Sequence, residues 1–154
     1  MSTLNTRAKF KSLFIYQFTK YTEWPEDYKQ GEFVIGVVND GDLADLLAVA
    51  AKSKKINSQS VIVKKINSTA DVSKCHVLYI DGSSPGEVEP FVSKANDYNC
   101  LVITEGQGMI DGLSAINFVV VGNALKFEMN KQLFRDRGLI VSNSLENLAT
   151  KVIN

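Results

Sequence analysis

Asp40, Asp81 and Glu105 are the side chains best placed for chemistry, because each stands close behind an apolar run ending at Val38, Ile80 or Ile103. If these runs are parallel strands, their carboxyl ends open onto one crevice, the place where open α/β sheets bind ligands. Asn39, Ser83, Ser84, Thr104 and Gln107 stand beside the three acids and offer hydrogen bonds. A crevice lined in this way repels phosphate and favours an amine, a cation or a neutral polar molecule. Taken singly, each of these residues also reads as a helix cap or a solvated turn residue.

A second polar set lies inside apolar, strand-forming sequence. Gly112-Leu-Ser-Ala-Ile116-Asn117-Phe118 and Phe127-Glu128-Met129-Asn130 flank Val121-Gly122-Asn123-Ala124, and two such runs around a Gly-Asn pair read as a β-hairpin. Residues two apart on a strand share a face, so Phe127 and Met129 take the core side and Glu128 and Asn130 point outward. Asn117 can join them across the hairpin. With Phe118 these residues form the candidate partner-binding surface. On this reading Glu128→Ala alters partner binding and changes stability by no more than ~0.5 kcal/mol.

Other constellations carry less. His76 is the sole histidine, and no spacing of Cys, His and acidic residues suits zinc. Neighbouring Cys75 and His76 point to opposite faces of a strand, so they cannot form a dyad. Gly106-Gln-Gly108-Met-Ile-Asp-Gly112 follows a strand, but its spacing is GxGxxxG and another strand comes next, so no helix N-terminus faces a pyrophosphate. Tight turns explain those glycines better. Lys52, Lys54, Lys55, Lys64 and Lys65 are the only basic cluster, and without interleaved aromatics they read as a solvated face. No catalytic, metal or cofactor site emerges.

The elements that must position these residues follow from periodicity. Phe10, Phe14, Phe18 and Tyr21, widened by Leu13 and Ile15, predict a core-packing helix over residues 4–21, ended by Pro25 with Trp24 as a lid. Phe33–Val38 is apolar throughout, as in a strand buried on both faces of a parallel sheet. Asp42 is placed to cap a helix through Leu43, Leu46, Leu47 and Ala50. Strands at 61–63, 77–80 and 101–103 follow, with a helix between the last two that starts at Ser84-Pro85-Gly-Glu87 and runs to about Tyr98. After the hairpin come a short helix ending at Gly138 and a final helix from Ser144 to Val152. The fold class is therefore α/β: a mainly parallel, Rossmann-like sheet flanked by helices, with an added antiparallel hairpin, in one domain over residues 1–154.

Bulk properties agree. The 154 residues carry 17 basic and 17 acidic side chains, so no net field recruits nucleic acid. No apolar run reaches the ~20 residues a membrane span needs. Met1–Arg7 has no apolar signal-peptide core, which taken literally predicts a cytoplasmic chain. Cys75 and Cys100 each begin a strand, and one helix joins the two strands. Such strands are usually neighbours about 4.8 Å apart, within disulfide reach if the side chains agree in direction. Two buried thiols fit the same pattern.

The ordered set of Tyr21-Thr-Glu-Trp24-Pro25, Cys75-His76-Val-Leu-Tyr79-Ile80, the two hairpin segments and Gly138-Leu139-Ile-Val-Ser142 resembles the YfiR family over roughly residues 8 to 152. Met129 stands where that family usually has Ile or Val. The resemblance implies an exported, non-enzymatic regulatory domain of α/β type, periplasmic once an upstream signal sequence is removed. Its partner would be a membrane-bound signalling protein: a diguanylate cyclase, as in the family's namesake system, or a sensor kinase, as in fused relatives. A homodimer is compatible with this reading; nucleic acid and membrane insertion are not part of it. A small-ligand binding protein using the strand-end crevice is the alternative. Export tilts the Cys75–Cys100 question towards a bridge. Other family members have further cysteines near the hairpin, and their absence here removes the basis for a redox switch.

Overall fold

The computed structural model describes residues 3–154, with side chains from Thr6 onward. The chain runs α1 (Thr3–Lys20), β1 (Thr22–Glu23), β2 (Phe33–Val38), α2 (Gly41–Ala51), β3 (Lys55–Ile56), β4 (Gln59–Ile66), β5 (Val77–Ile80), α3 (Pro85–Ala95) and β6 (Leu101–Glu105). It continues through β7 (Ile116–Val121), β8 (Ala124–Asn130), α4 (Lys131–Asp136), β9 (Ile140–Val141), α5 (Asn143–Glu146) and β10 (Lys151–Ile153).

An eight-stranded sheet has the order β10-β8-β7-β6-β5-β2-β4-β3, and β1 pairs with β9 separately. β4, β2, β5, β6 and β7 are mutually parallel; β8 turns back antiparallel to β7, and β10 pairs parallel to β8. Counted along the chain, the parallel strands have the flavodoxin-like order 2-1-3-4-5. The α/β expectation holds.

The two sheet faces are covered by different helices. Ile15, Tyr16 and Phe18 of α1 and Leu43 and Leu47 of α2 pack with Phe33, Ile35, Val37, Tyr79 and Phe118. Val88, Val92 and Ala95 of α3 pack on the other face with Val38, Leu78, Ile80 and Val102. The chain thus leaves β2 towards one face and β5 towards the opposite one. Between these adjacent strands the connections diverge and open a gap at the carboxyl ends.

Local chemistry fixes the helix starts. The Asp40 carboxylate accepts the Leu43 N–H at 3.1 Å and caps α2; Asp42, the expected cap, falls in the first turn because Gly41 already begins the helix. The Ser84 hydroxyl caps α3 by accepting the Glu87 N–H, and the Glu87 carboxylate accepts from the Ser83 N–H and hydroxyl. That helix ends at Ala95, short of Tyr98, where the chain tightens into a turn with the Tyr98 N–H on the Ala95 carbonyl.

Two larger expectations also fail, each for a physical reason. The final helix from Ser144 to Val152 is not formed: α5 is one turn long, and Lys151–Ile153 pair with Glu128–Asn130 instead. Leu145, Leu148 and Val152 mimic helical spacing, but the open edge of β8 offers main-chain bonds that a helix there forgoes. The core face of α1 is also rotated. Ala8, Lys11, Ser12, Ile15, Tyr16 and Thr19 are buried, whereas Phe10 and Leu13 are exposed. Polar groups are tolerated inside because they are bonded: the Tyr16 hydroxyl donates to the Leu47 carbonyl at 2.7 Å and Thr19 to Tyr16 at 2.6 Å. Phe14 and Phe18 bridge both patterns, meeting Phe118 and Phe127 in edge-on and tilted contacts with ring centroids 4.9–6.0 Å apart.

Candidate functional site

The gap between β2 and β5 widens into a crevice of about 470 Å³ lined by Arg7, Ala8, Lys11, Asp40, Asp42, Asp81, Gly82, Ser83, Glu105 and Gly106. Four of the eight strand-end residues expected from sequence, Asp40, Asp81, Ser83 and Glu105, converge here, whereas Asn39 and Ser84 stand outside the lining. Thr104 does not line it either: it is fully buried and its hydroxyl turns away to Ser114 and Asn117. Gln107 is exposed and stands outside the lining. The cations Arg7 and Lys11 are not part of the sequence expectation; their spacing of four puts them on one face of α1, which was the signal available.

Charge in the crevice is uneven. Lys11 is buried, donates to the Tyr79 hydroxyl at 3.2 Å and forms an ion pair with Glu105. Burial pushes the Tyr79 phenol well above its usual range, so it stays protonated. The Asp81 carboxyl is held above its ordinary value by desolvation and then by the charge of Asp40, with Lys11 partly opposing. With Lys11 committed to Glu105, Arg7 faces Asp40, Asp42 and Asp81. The surplus is negative, which suits a cationic or neutral polar occupant.

The hairpin residues form a different kind of site. Asn117, fully buried, accepts from the Thr104 hydroxyl at 2.8 Å and donates to the Gly106 carbonyl at 2.7 Å and to Glu128 at 3.0 Å. Asn130 is buried, donates to the Ile110 carbonyl at 2.8 Å, and its side-chain oxygen caps α4 through the N–H groups of Gln132 and Leu133. Phe118 is fully enclosed. The expectation that Asn117, Phe118, Glu128 and Asn130 form an accessible partner-binding surface is therefore corrected. The 106–114 loop folds over one side of the hairpin and α1 over the other, leaving only Glu128 half-buried. Alternation assigned the faces properly, but both faces are covered along this end of the hairpin.

Elsewhere the readings meet their geometry. His76 is buried, accepts the Val34 N–H at Nδ1 (3.1 Å) and meets the Tyr28 carbonyl with Nε2 at 2.6 Å, which fixes a neutral tautomer with the proton on Nε2. Burial lowers its pKa below 6.5. Trp24 is buried and donates its indole N–H to the His76 carbonyl at 3.1 Å. Cys75 and Cys100 are free, buried thiols with sulfurs 3.4 Å apart, and burial raises the Cys100 thiol well above its usual value.

A model of the YfiR/HmsC-like family matches residues 8–150. The chain belongs to this family. YfiR/HmsC-like proteins are in general periplasmic and regulatory rather than catalytic. None of the chain's described helices is long and apolar enough to cross a membrane. No curated protein matches by sequence. Among solved structures, an ABC domain from Streptococcus pneumonia in complex with L-Trp is similar at a TM-score of 0.53 and 13% identity, covering 79% of this chain and 56% of that one. This YfiR/HmsC-like chain thus spans little more than half of that neighbour, and the likeness concerns the α/β fold.

Proposed function

We propose that this chain is a non-enzymatic periplasmic module that docks on a membrane-bound signalling protein, a diguanylate cyclase or a sensor kinase, through an apolar face built by α1, the β7–β8 hairpin and the segment after α5. The observation that carries the reading is the exposure of large apolar side chains along one face: Phe10 is 51% exposed, Leu13 61%, Val120 41% and Leu148 52%. Two grooves share the Phe10 and Phe14 rings as a common wall. One is floored by Phe18, Phe127 and Leu145, the other by Leu125 and Val120. A contiguous apolar surface of this kind marks an interaction site more often than a solvated face. Family membership supports the same role.

The test uses the periplasmic part of the candidate membrane signalling protein. Phe10→Asp and Leu13→Asp are expected to weaken its binding by at least about tenfold, with the urea midpoint little changed because both side chains already face water. Wild-type affinity in both variants would remove this face from the interface.

The strand-end crevice favours a second reading, a small-ligand site, because it lies where helices leave adjacent parallel strands in opposite directions. A thermal shift with organic amines or neutral polar compounds, lost in Asp81→Asn, would support it; no shift across such a panel would count against it.

A further inference from the structure

β4 pairs with β2 along Val61–Ile66 on one side, whereas on the other it meets β3 only at Gln59 and Ser60. β3 is two residues long; the tight Asn57-Ser58 turn, both residues at positive φ, joins it to β4, and its line is not continued. The Asn39 N–H donates to the Ile66 carbonyl, which fixes the alternation along β4. Ile62, Lys64 and Ile66 turn their main-chain groups towards β2, and Val61, Val63 and Lys65 turn theirs outward. Among the described residues no strand pairs with that outer edge beyond Ser60. Outward N–H and C=O groups thus stand in a row of about 13 Å.

The side chains around this edge are cationic. Lys64 is exposed on the strand itself, Lys55 on β3 and Lys52 just past α2, and none of them forms an ion pair among the described residues. Lys65 and Lys54 are engaged, by Asp45 at 2.8 Å and by the Tyr16 ring at 5.3 Å from its centroid. Val61 and Val63 pack half-buried against the α1/α2 core, whereas Lys64 lies on the opposite face of the sheet.

We propose that the outer edge of β4 is a strand-addition site for an extended acidic segment of another polypeptide. Main-chain groups supply the bonds, and the lysines select the occupant. A second copy of this edge would bring lysine against lysine, which disfavours self-pairing, whereas carboxylates turn the same charges into attraction. The two faces also call for alternation: apolar residues beside Val61 and Val63, acidic residues beside Lys64. The edge lies across the sheet from the apolar face of α1 and the hairpin, so the two can be engaged independently.

Fluorescence anisotropy with a labelled alternating glutamate–valine heptapeptide, and with its lysine–valine counterpart as control, tests this. At low salt the acidic peptide is expected to bind at least about tenfold more tightly than the basic one, and the advantage to shrink as ionic strength rises. Val63→Pro removes an outward N–H while sparing the β2 ladder, and is expected to abolish binding. Lys64→Glu leaves every main-chain bond in place and is expected to cost about tenfold, which keeps the test readable should Val63→Pro fail to fold. Equal affinity for the two peptides, or acidic-peptide binding unchanged in both variants, overturns the proposal. A dimer in sedimentation that Val63→Pro dissolves also overturns it, by making a second copy the occupant.

Discussion

Asn117→Ala should be among the costlier single changes in this chain. The amide makes three bonds in a fully buried position: from the Thr104 hydroxyl, to the Gly106 carbonyl and to the Glu128 carboxylate. Thr104 keeps Ser114 as a partner at 2.7 Å, so that loss is a single neutral bond, about 1 kcal/mol. The Gly106 carbonyl is left without its bond, at roughly 1–2 kcal/mol, and the bond to the charged Glu128 is worth about 1.5 kcal/mol more. The expected loss is about 4 kcal/mol, a large share of the ~5–15 kcal/mol typical of a domain. Urea denaturation measures it. A double-mutant cycle with Glu128→Ala should return a coupling of about 1–1.5 kcal/mol, and Glu128→Ala alone should cost more than a surface substitution. A loss under about 1 kcal/mol for Asn117→Ala, with no coupling to Glu128, would refute the view that this network holds the hairpin to the 106–114 loop.

Two further outcomes follow from buried titratable groups. The folded-state pKa of His76 lies below its ordinary 6.5, so between those two values the unfolded chain binds more protons and stability falls as pH falls. The urea midpoint should therefore drop on acidification below about pH 6.5, with a shallower slope in His76→Gln; identical slopes would remove His76 as the cause. Under oxidising conditions Cys75 and Cys100, already in contact, are expected to bridge slowly, because burial keeps the Cys100 thiol protonated. Closing that loop would add about 3.5 kcal/mol in the chain-entropy model, and two alkylated cysteines in oxidised, unfolded protein would rule the bridge out.

What could be read from the sequence was whatever depends on short-range pattern. The continuous apolar run of β2, the Ser84-Pro85 start of α3 and the two-residue periodicity of the hairpin all determine local structure through near neighbours. The carboxylates of the crevice were accessible for the same reason, since a residue just past a parallel strand has only one place to go. The readings that failed depended on what covers what. Glu128 and Asn130 were placed on the side opposite Phe127, but no local signal tells that the 106–114 loop lies over that side. β10 was hidden because helical spacing and an edge-strand partner compete for the same residues, and the partner is over twenty positions away. Arg7 and Lys11 reach the crevice only because α1 crosses the sheet ends.

The single tryptophan occupies an unusual vantage point. Trp24 is enclosed at the amino ends of β2 and β5, edge-on to Phe33 at 5.1 Å between centroids and 6.0 Å from the His76 ring. Its emission should be blue-shifted in the native protein and quenched when the nearby imidazole takes up a proton. β2 puts about 20 Å between that indole and the crevice at the strand's far end. The intrinsic fluorescence is therefore a clean reporter of unfolding and of the His76 corner, and it is poorly placed to register an occupant of the crevice. A ligand screen read out through tryptophan emission would be blind at the place where a ligand has most reason to bind.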